Sequence, residues 1–227
     1  MELKVLGTGS SGNCYLLKDN NETLVLDAGI KIKDIKVGLD FNLMNVSGVF
    51  ITHEHTDHSK SADALRSIGL LVAEPYKTSN PDGTNTMSFK MGGYAVNSFP
   101  LPHDGVENRG AYIITPSGRK VLYMTDYEYC AFNFDRLGID TMLIECNYSI
   151  DPQDDQQNLE HVLRGHASLD VVCEFLKAHP NHSLKNVILC HLSGLNADAD
   201  VILKRVRSVV RESVVVDIAH NGKTFQL

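Results

Sequence analysis

The hexapeptide His53-Glu54-His55-Thr56-Asp57-His58 constrains this chain more than any other feature of its sequence. It follows Gly48-Val-Phe-Ile-Thr52, an apolar run that reads as a buried strand, so three histidines and an aspartate are delivered at a strand's end. In extended backbone, residues i and i+2 point the same way, so His53 and His55 can share one ion. Asp57 and His58 fall in the turn that follows and can converge on a second ion beside it. Imidazole suits zinc, iron and copper, while carboxylate shifts preference toward harder ions such as manganese. A solvated polar loop with a helix N-cap is the plainer reading, but it leaves so dense a run of nitrogen and oxygen ligands unexplained.

The rest of the chain alternates short apolar runs with turn residues. Leu3–Leu6, Cys14–Leu17 and Thr23–Leu26 read as strands in sequential antiparallel pairing, separated by GTGSSGN and KDNNE. Ala95–Phe99, Ala111–Ile114, Val121–Tyr123, Thr141–Ile144 and Val187–Leu189 predict further strands. Short helices are expected over Ile32–Leu39 and over Ser59–Ile68, the latter with Ala62, Leu65 and Ile68 on one face. An acidic loop, Asp151–Asp155, follows. Ser168 can N-cap a helix that buries Leu169, Val172, Cys173 and Leu176. A last helix near Asp198–Glu212 buries Ile202, Val206, Val209 and Val210 and turns Lys204, Arg207 and Arg211 outward. Strands mixed with helices in this order predict sheets covered by helices on their outer faces. At 227 residues, one domain spanning 1–227 is the default.

Five of the ten histidines (His53, His55, His58, His103, His191) come directly after apolar strand-like runs or the short loops behind them. H-x-H-x-D-H behind a strand resembles the metallo-β-lactamase superfamily of metal-dependent hydrolases. The superfamily's other signatures occur in order: Asp27 in LVLDAG, His103 in PLPHDG, Asp126 in YMTD and His191 in ILCHLS. The resemblance implies an α/β fold, the αββα four-layer sandwich. It also implies two divalent ions, Zn2+ or Mn2+, held by His53, His55 and His103 in one site and by Asp57, His58 and His191 in the other. Asp126 would bridge the two, and Asp27 would orient the histidine loop without touching metal. A shared hydroxide between the ions would be the nucleophile. Asp126 stands where the commonest true β-lactamases carry cysteine, and His55 where flavo-diiron oxidoreductases carry glutamate, so neither chemistry is implied.

A narrower likeness lies in GTGSSGNCYLL, ITHEHTDH, LYMTD, Glu145-Cys146-Asn147, GHAS and LCHLS. Together these are similar to the WalJ/YycJ group of single-domain nucleases, relatives of tRNase Z and the β-CASP nucleases. That resemblance implies a phosphodiesterase of DNA exonuclease type, with His166 of GHAS near the scissile phosphate as a catalytic residue beside Asp57 and Asp126. Glu145 is read as orienting a metal ligand rather than acting on substrate. Tyr148 stands where the group leads one to expect histidine. Surface or packing roles are assigned to His161, His179 and His182, while His220 is left anywhere between the site rim and a strand end.

The formal charge of −7 argues against a broad basic groove for long duplexes; two divalent ions would bring the protein as a whole to −3, with the positive charge concentrated at one cleft. A solvated helix face accounts for Lys204, Arg207 and Arg211. Five cysteines without C-x-x-C spacing, no signal-peptide pattern at the N-terminus and no apolar stretch near the roughly 18 residues of a membrane span point to a cytoplasmic protein. Nucleic acid, DNA foremost, is the expected partner, with no membrane and no obligate protein partner. Two other readings stand beside the nuclease. One is hydrolysis of a small ester (a cyclic nucleotide, lactone or thioester) on the same metal site; the other is a metal-binding scaffold without catalysis.

Overall fold

A computed structural model describes residues 1–78, 86–149, 156–180 and 182–227; the acidic loop Asp151–Asp155 lies outside the described residues. The first sheet is built from β1 (Glu2–Gly7), β2 (Cys14–Asp19), β3 (Glu22–Leu26), β4 (Val46–Phe50) and β5 (Val72–Ala73). The second takes β6 (Met87–Met91), β7 (Tyr94–Leu101), β8 (Asn108–Ile114), β9 (Lys120–Met124), β10 (Thr141–Glu145), β11 (Asn186–Cys190) and β12 (Val215–Ile218), while β13 (Thr224–Gln226) returns to the first. The sheet orders are β13-β1-β2-β3-β4-β5 and β12-β11-β10-β9-β8-β7-β6. β1, β2 and β3 pair antiparallel in sequence, as their short turns require. β4 then joins β3 in parallel, and β9 to β12 form a parallel block.

Among the described residues, six α-helices complete the fold: α1 (Ile32–Gly38), α2 (Thr56–Ser59), α3 (Ala62–Ser67), α4 (Gln156–Gly165), α5 (Leu169–Ala178) and α6 (Ala199–Val209). Ser168 caps α5, its side chain accepting the Val171 amide hydrogen, and Leu169, Val172, Cys173 and Leu176 are buried.

The apolar side chains sort into three separate cores, which shows the layering. Tyr15, Leu17, Leu24, Leu26 and Phe50 of the first sheet meet Val121, Tyr123, Leu143 and Ile188 of the second. Their neighbours along the same strands point the other way. Cys14, Leu16, Val25, Val49 and Ile51 pack with Ile35 of α1 and Leu65 of α3, and Leu122, Met124, Met142, Ile144, Val187 and Leu189 pack with Val172 of α5 and Ile202 of α6. Strands buried on both faces explain why the sequence shows continuous apolar runs here rather than alternation. The result is the four-layer αββα sandwich of the mixed α/β class. All five cysteines are free, and Cys14 and Cys190 are fully buried. Among the described residues, no helix is long and apolar enough to cross a membrane.

Three expectations need correction. The helix predicted over Ser59–Ile68 is two short helices, α2 and α3, because Ser61 hands its amide to Ala28 across the fold. Ile68 is the C-cap of α3 and is 41% exposed, not part of the buried face. On the last helix, Val209 and Val210 are only half-buried, since the helix ends there. Arg207 and Arg211 lie outward but are engaged: Arg207 donates to the Val216 carbonyl, and Arg211 to those of His182 and Leu184.

Candidate metal centre

Apart from His166, which follows α4, each predicted site residue lies at or just beyond the C-terminal end of a strand. β3 leads to Asp27, β4 to the His53–His58 loop, β7 to His103, β9 to Asp126 and β11 to His191, while Glu145 is the last residue of β10. β7 and β9 both run antiparallel to β8, so they share a direction, and β9, β10 and β11 are parallel. Six exits therefore meet at one edge of the sandwich. Asp27, Asp126 and His191 all adopt positive φ (56°, 52° and 53°), which side-chain-bearing residues rarely do. The chain turns sharply there, so each side chain points back over the edge.

Among the described residues, three groups share the Asp126 carboxylate, and two of them are the expected ligand sets: His53, His55, His103 and Asp126, and Asp57, His58, Asp126 and His191; the third joins Asp126 and His191 to Glu145 and His166. In the first, His55 Nδ1 lies 3.1 Å from His53 Nε2 and 3.2 Å from His103 Nε2. In the second, His58 Nε2 is 3.5 Å from Asp57 Oδ2 and 3.4 Å from Asp126 Oδ2, while His191 Nε2 is 3.5 Å from Asp126 Oδ1. Asp126 Oδ2 is also 3.8 Å from His53 Nε2, so one carboxylate faces both groups.

Whether these residues suit a metal can be tested on their unused atoms. The Nδ1 of His103 donates to the Gly165 carbonyl at 2.7 Å, which leaves its Nε2 lone pair facing His55. A hydrogen on His55 Nδ1 can serve only one of its two neighbours, His53 Nε2 or His103 Nε2, so at least one close pair of nitrogens is left without a hydrogen between them, which a cation would relieve. Four donors around a tetrahedral zinc at 2.0–2.1 Å stand about 3.3 Å apart, close to the spacing of the first group. His191 Nε2 is buried with no hydrogen-bond partner, which is costly for a polar atom unless an ion takes it up. The cluster is thus able to bind metal.

Electrostatics point the same way. Burial pushes the His53 and His103 rings down, toward the neutral form that ligates. Burial also opposes charge on His191, but Asp126, Asp57 and Glu145 outweigh it and push that ring up to about 10. Asp57 is held far below the usual carboxylate range, because the His191 and His58 rings overcome its burial. A spot so rich in carboxylates calls for a cation.

Beneath the cluster, Asp27 is fully buried and saturated. Its Oδ1 accepts the Thr52 amide at 2.8 Å, and its Oδ2 meets His58 Nδ1 at 2.8 Å and the Tyr123 hydroxyl at 2.5 Å. A carboxylate so occupied has no free lone pair to offer an ion; it fixes the His58 ring with Nε2 toward the cluster. Glu145 is likewise buried, with Oε1 2.7 Å from His166 Nδ1 and 3.2 Å from His191 Nδ1. His166 stacks on His191 with ring centroids 5.3 Å apart. Burial opposes charge on His166, yet Glu145 beside it raises its pKa overall.

Several participants were not singled out from the sequence. Asn13, in the glycine-rich GTGSSGN turn, gives its amide to the Asp57 carbonyl and sets its side-chain nitrogen 2.9 Å from His58 Nε2. Thr52 and Tyr123 hold Asp27, and Asn147 donates to the His191 carbonyl. The run of Gly and Ser before Asn13 was the available signal, since such turns let backbone approach a site closely. His161, assigned a surface or packing role, instead lines the cleft over the cluster. His179 does pack, bonding the Phe175 and Phe132 carbonyls, and His220 is exposed just beyond β12.

Comparison with known proteins gives matches of three kinds. The family described as the Metallo-beta-lactamase superfamily matches residues 7–183. The exodeoxyribonuclease YycJ of Bacillus anthracis is 28% identical over 174 residues, 66% of this chain and 64% of that protein. The exodeoxyribonuclease WalJ of Streptococcus pneumoniae is 27% identical over 172 residues, 65% of this chain and 62% of that protein. The chain thus spans somewhat less than two thirds of the curated relatives it matches. Among solved structures, the metallo-β-lactamase-fold protein YhfI of Bacillus subtilis superposes with a TM-score of 0.72 at 18% identity, covering 99% of each chain.

Proposed function

The chain belongs to the metallo-β-lactamase superfamily of hydrolases, and from that premise we propose that it is a dinuclear-metal phosphodiesterase, a nuclease of the DNA exonuclease type. We read residues 1–227 as one hydrolase domain. His53, His55 and His103 would hold one ion, Asp57, His58 and His191 the other, and Asp126 both. The observation that carries the reading is the Asp126 carboxylate, whose oxygens lie 3.4 to 3.8 Å from ring nitrogens of both groups. Exodeoxyribonuclease relatives at 27–28% identity support DNA as the substrate.

Two divalent ions bound there, zinc or manganese, would supply a nucleophile from water at neutral pH and neutralise charge on the phosphoryl oxygens. The side chains do the rest. Asp27 and Glu145 fix the tautomers and orientations of His58 and His191. His166 lines the same cleft with its proton favoured by Glu145, so it can protonate the leaving oxygen or hydrogen-bond a phosphoryl oxygen.

The test is purified protein loaded with manganese or zinc, offered labelled single- and double-stranded DNA and RNA beside a panel of cyclic nucleotides, lactones and thioesters. Degradation of a DNA strand by the wild type and none by Asp126→Ala is expected. Rapid turnover of a small ester with all polynucleotides intact would overturn the nuclease reading.

A further inference from the structure

The edge of the sandwich opposite the metal cluster holds a cavity of about 530 Å³. Its walls come from the segments that lead into the parallel block: Arg119 and Lys120 at the start of β9, Asp140 before β10, Lys185 before β11, and Arg211 and Ser213 before β12. The cluster lies at the other end of these strands, and the five residues of β10 span about 16 Å.

Four cations thus face one cavity in a chain of net charge −7, and Asp140 is the single carboxylate among the described lining residues. Asp140 is already engaged. Its Oδ1 accepts from Arg119 Nε at 2.9 Å and Nη2 at 2.7 Å, and its Oδ2 from the Lys120 amide at 2.7 Å. Lys120 and Lys185 have no carboxylate partner among the described residues; Lys120 Nζ donates to the Leu137 carbonyl at 2.8 Å. Arg211 Nη2 donates to the His182 and Leu184 carbonyls, each at 2.9 Å. A carbonyl is a neutral acceptor, so these bonds fix where the cations sit without cancelling their charge. Gathered cations repel one another, and an anion between them relieves the repulsion. Gly138, at φ 65°, keeps the approach open: a Cβ there would face Lys120 Nζ at 3.5 Å and Ser183 Oγ at 3.6 Å.

A second cavity, of about 270 Å³, opens beside the first and shares His182, Leu184 and Arg211 with it. Its walls are mostly apolar, with Leu176 from α5, Pro180, and Val209, Val210 and Val214 around the end of α6. A cationic basin and an apolar slot therefore meet at Arg211. Guanidinium and ammonium groups together suit phosphate, whose several oxygens match a planar fork. A phosphomonoester carries nearly two negative charges at neutral pH, so it balances four cations and one carboxylate better than a single carboxylate would. The two volumes are of the order of small-molecule sites, about 300–1,000 Å³.

We propose that the joined cavities bind a small phosphomonoester, its phosphate held by Arg119, Lys120, Lys185 and Arg211 and its apolar or ring-shaped body in the slot. No residue of the metal cluster takes part, so this site is independent of the nuclease reading.

The test is amide NMR on the zinc-loaded full chain, titrated with deoxyadenosine 5′-monophosphate, hexyl phosphate, inorganic phosphate and deoxyadenosine. Amides of Gly118, Lys185 and Ser213 are expected to shift with both esters, and the tighter of the two identifies the body as ring or chain. Inorganic phosphate should bind roughly tenfold more weakly, the worth of about two buried CH₂ groups, and deoxyadenosine should leave these amides unmoved. Lys185→Glu, an exposed change that spares the Arg119–Asp140 pair, should weaken ester binding about tenfold or more, the size of one hydrogen bond to a charged group. Four results would each overturn the proposal: no shift at these amides up to about 10 mM ester, well into the range that fills a millimolar site; shifts confined to the cleft around His55 and Ser193; esters no tighter than inorganic phosphate; or unchanged affinity in a folded Lys185→Glu protein.

Discussion

Gly29 lies against Asp57 so closely that a Cβ on the glycine would stand 1.6 Å from the Asp57 carbonyl oxygen. The contact belongs to a set of backbone bonds that pin α2 to the end of β3: Ala28 N to His58 O at 2.7 Å, Asn13 N to Asp57 O at 2.7 Å, and Gly29 N to Asn13 O at 2.8 Å. A side chain cannot enter without lifting Asp57 and His58 away from Asp126. Gly29→Ala is therefore expected to lose one bound ion per chain, measured by elemental analysis after dialysis. Full metal content in a folded Gly29→Ala protein would show that α2 does not hold ligands.

Removing the partner of His58 should weaken metal binding without deleting a ligand. Asp27→Ala leaves the His58 ring free to rotate and strands the Thr52 amide and the Tyr123 hydroxyl in the core. Metal affinity is expected to fall about 10- to 100-fold. Tyr123→Phe removes only one of the three bonds and should have a smaller effect in the same titration.

His166 and the cluster should separate in opposite ways. His166→Ala is expected to keep its metal and lose about 10²- to 10⁴-fold in kcat, as removal of a general acid does. Asp126→Ala should lose both metal and turnover. Equal metal loss in the two variants would reassign His166 to a ligand role alongside Glu145.

The far edge of the sandwich carries its own acid-sensitive contact. Asp19, the last residue of β2, accepts from the Thr115 hydroxyl at 2.5 Å and the Ser117 amide at 2.8 Å, and so clasps the first sheet to the second. Burial would raise its pKa, but the Ser117 and Thr115 bonds overcome that and lower it below the ordinary value. The folded pKa is depressed, so its contribution to stability is complete above about pH 4, the unfolded carboxylate range, and fades as pH falls through the folded value. Asp19→Asn should cost about 1–3 kcal/mol at pH 7 in urea unfolding, with the difference from wild type shrinking as pH falls below the ordinary carboxylate range. A constant difference across that range would exclude the carboxylate as its source.

Most of the cluster was legible because its residues follow strands, and strands buried on both faces announce themselves as apolar runs. Asp27, His103, Asp126 and His191 are each the first polar residue, or nearly so, beyond such a run. What was illegible depends on contacts between distant loops. Nothing near Asn13 indicates that it will meet His58, 45 positions away, and nothing near His161 foretells Asp104, 57 positions back. The Ile68 error has a similar origin. Helical spacing placed it with Leu65, but the chain had already left the helix at that point.

The division of the cluster between the sheets makes it a gauge of their alignment. His53, His55, Asp57 and His58 follow the first sheet's β4, whereas His103, Asp126 and His191 follow strands of the second. If either sheet slips over the other, the two halves lose register long before any strand unravels. A chain split in the segment between β5 and β6 would therefore yield two fragments that recombine more tightly when zinc is present, turning the ion into the clasp of a two-piece protein.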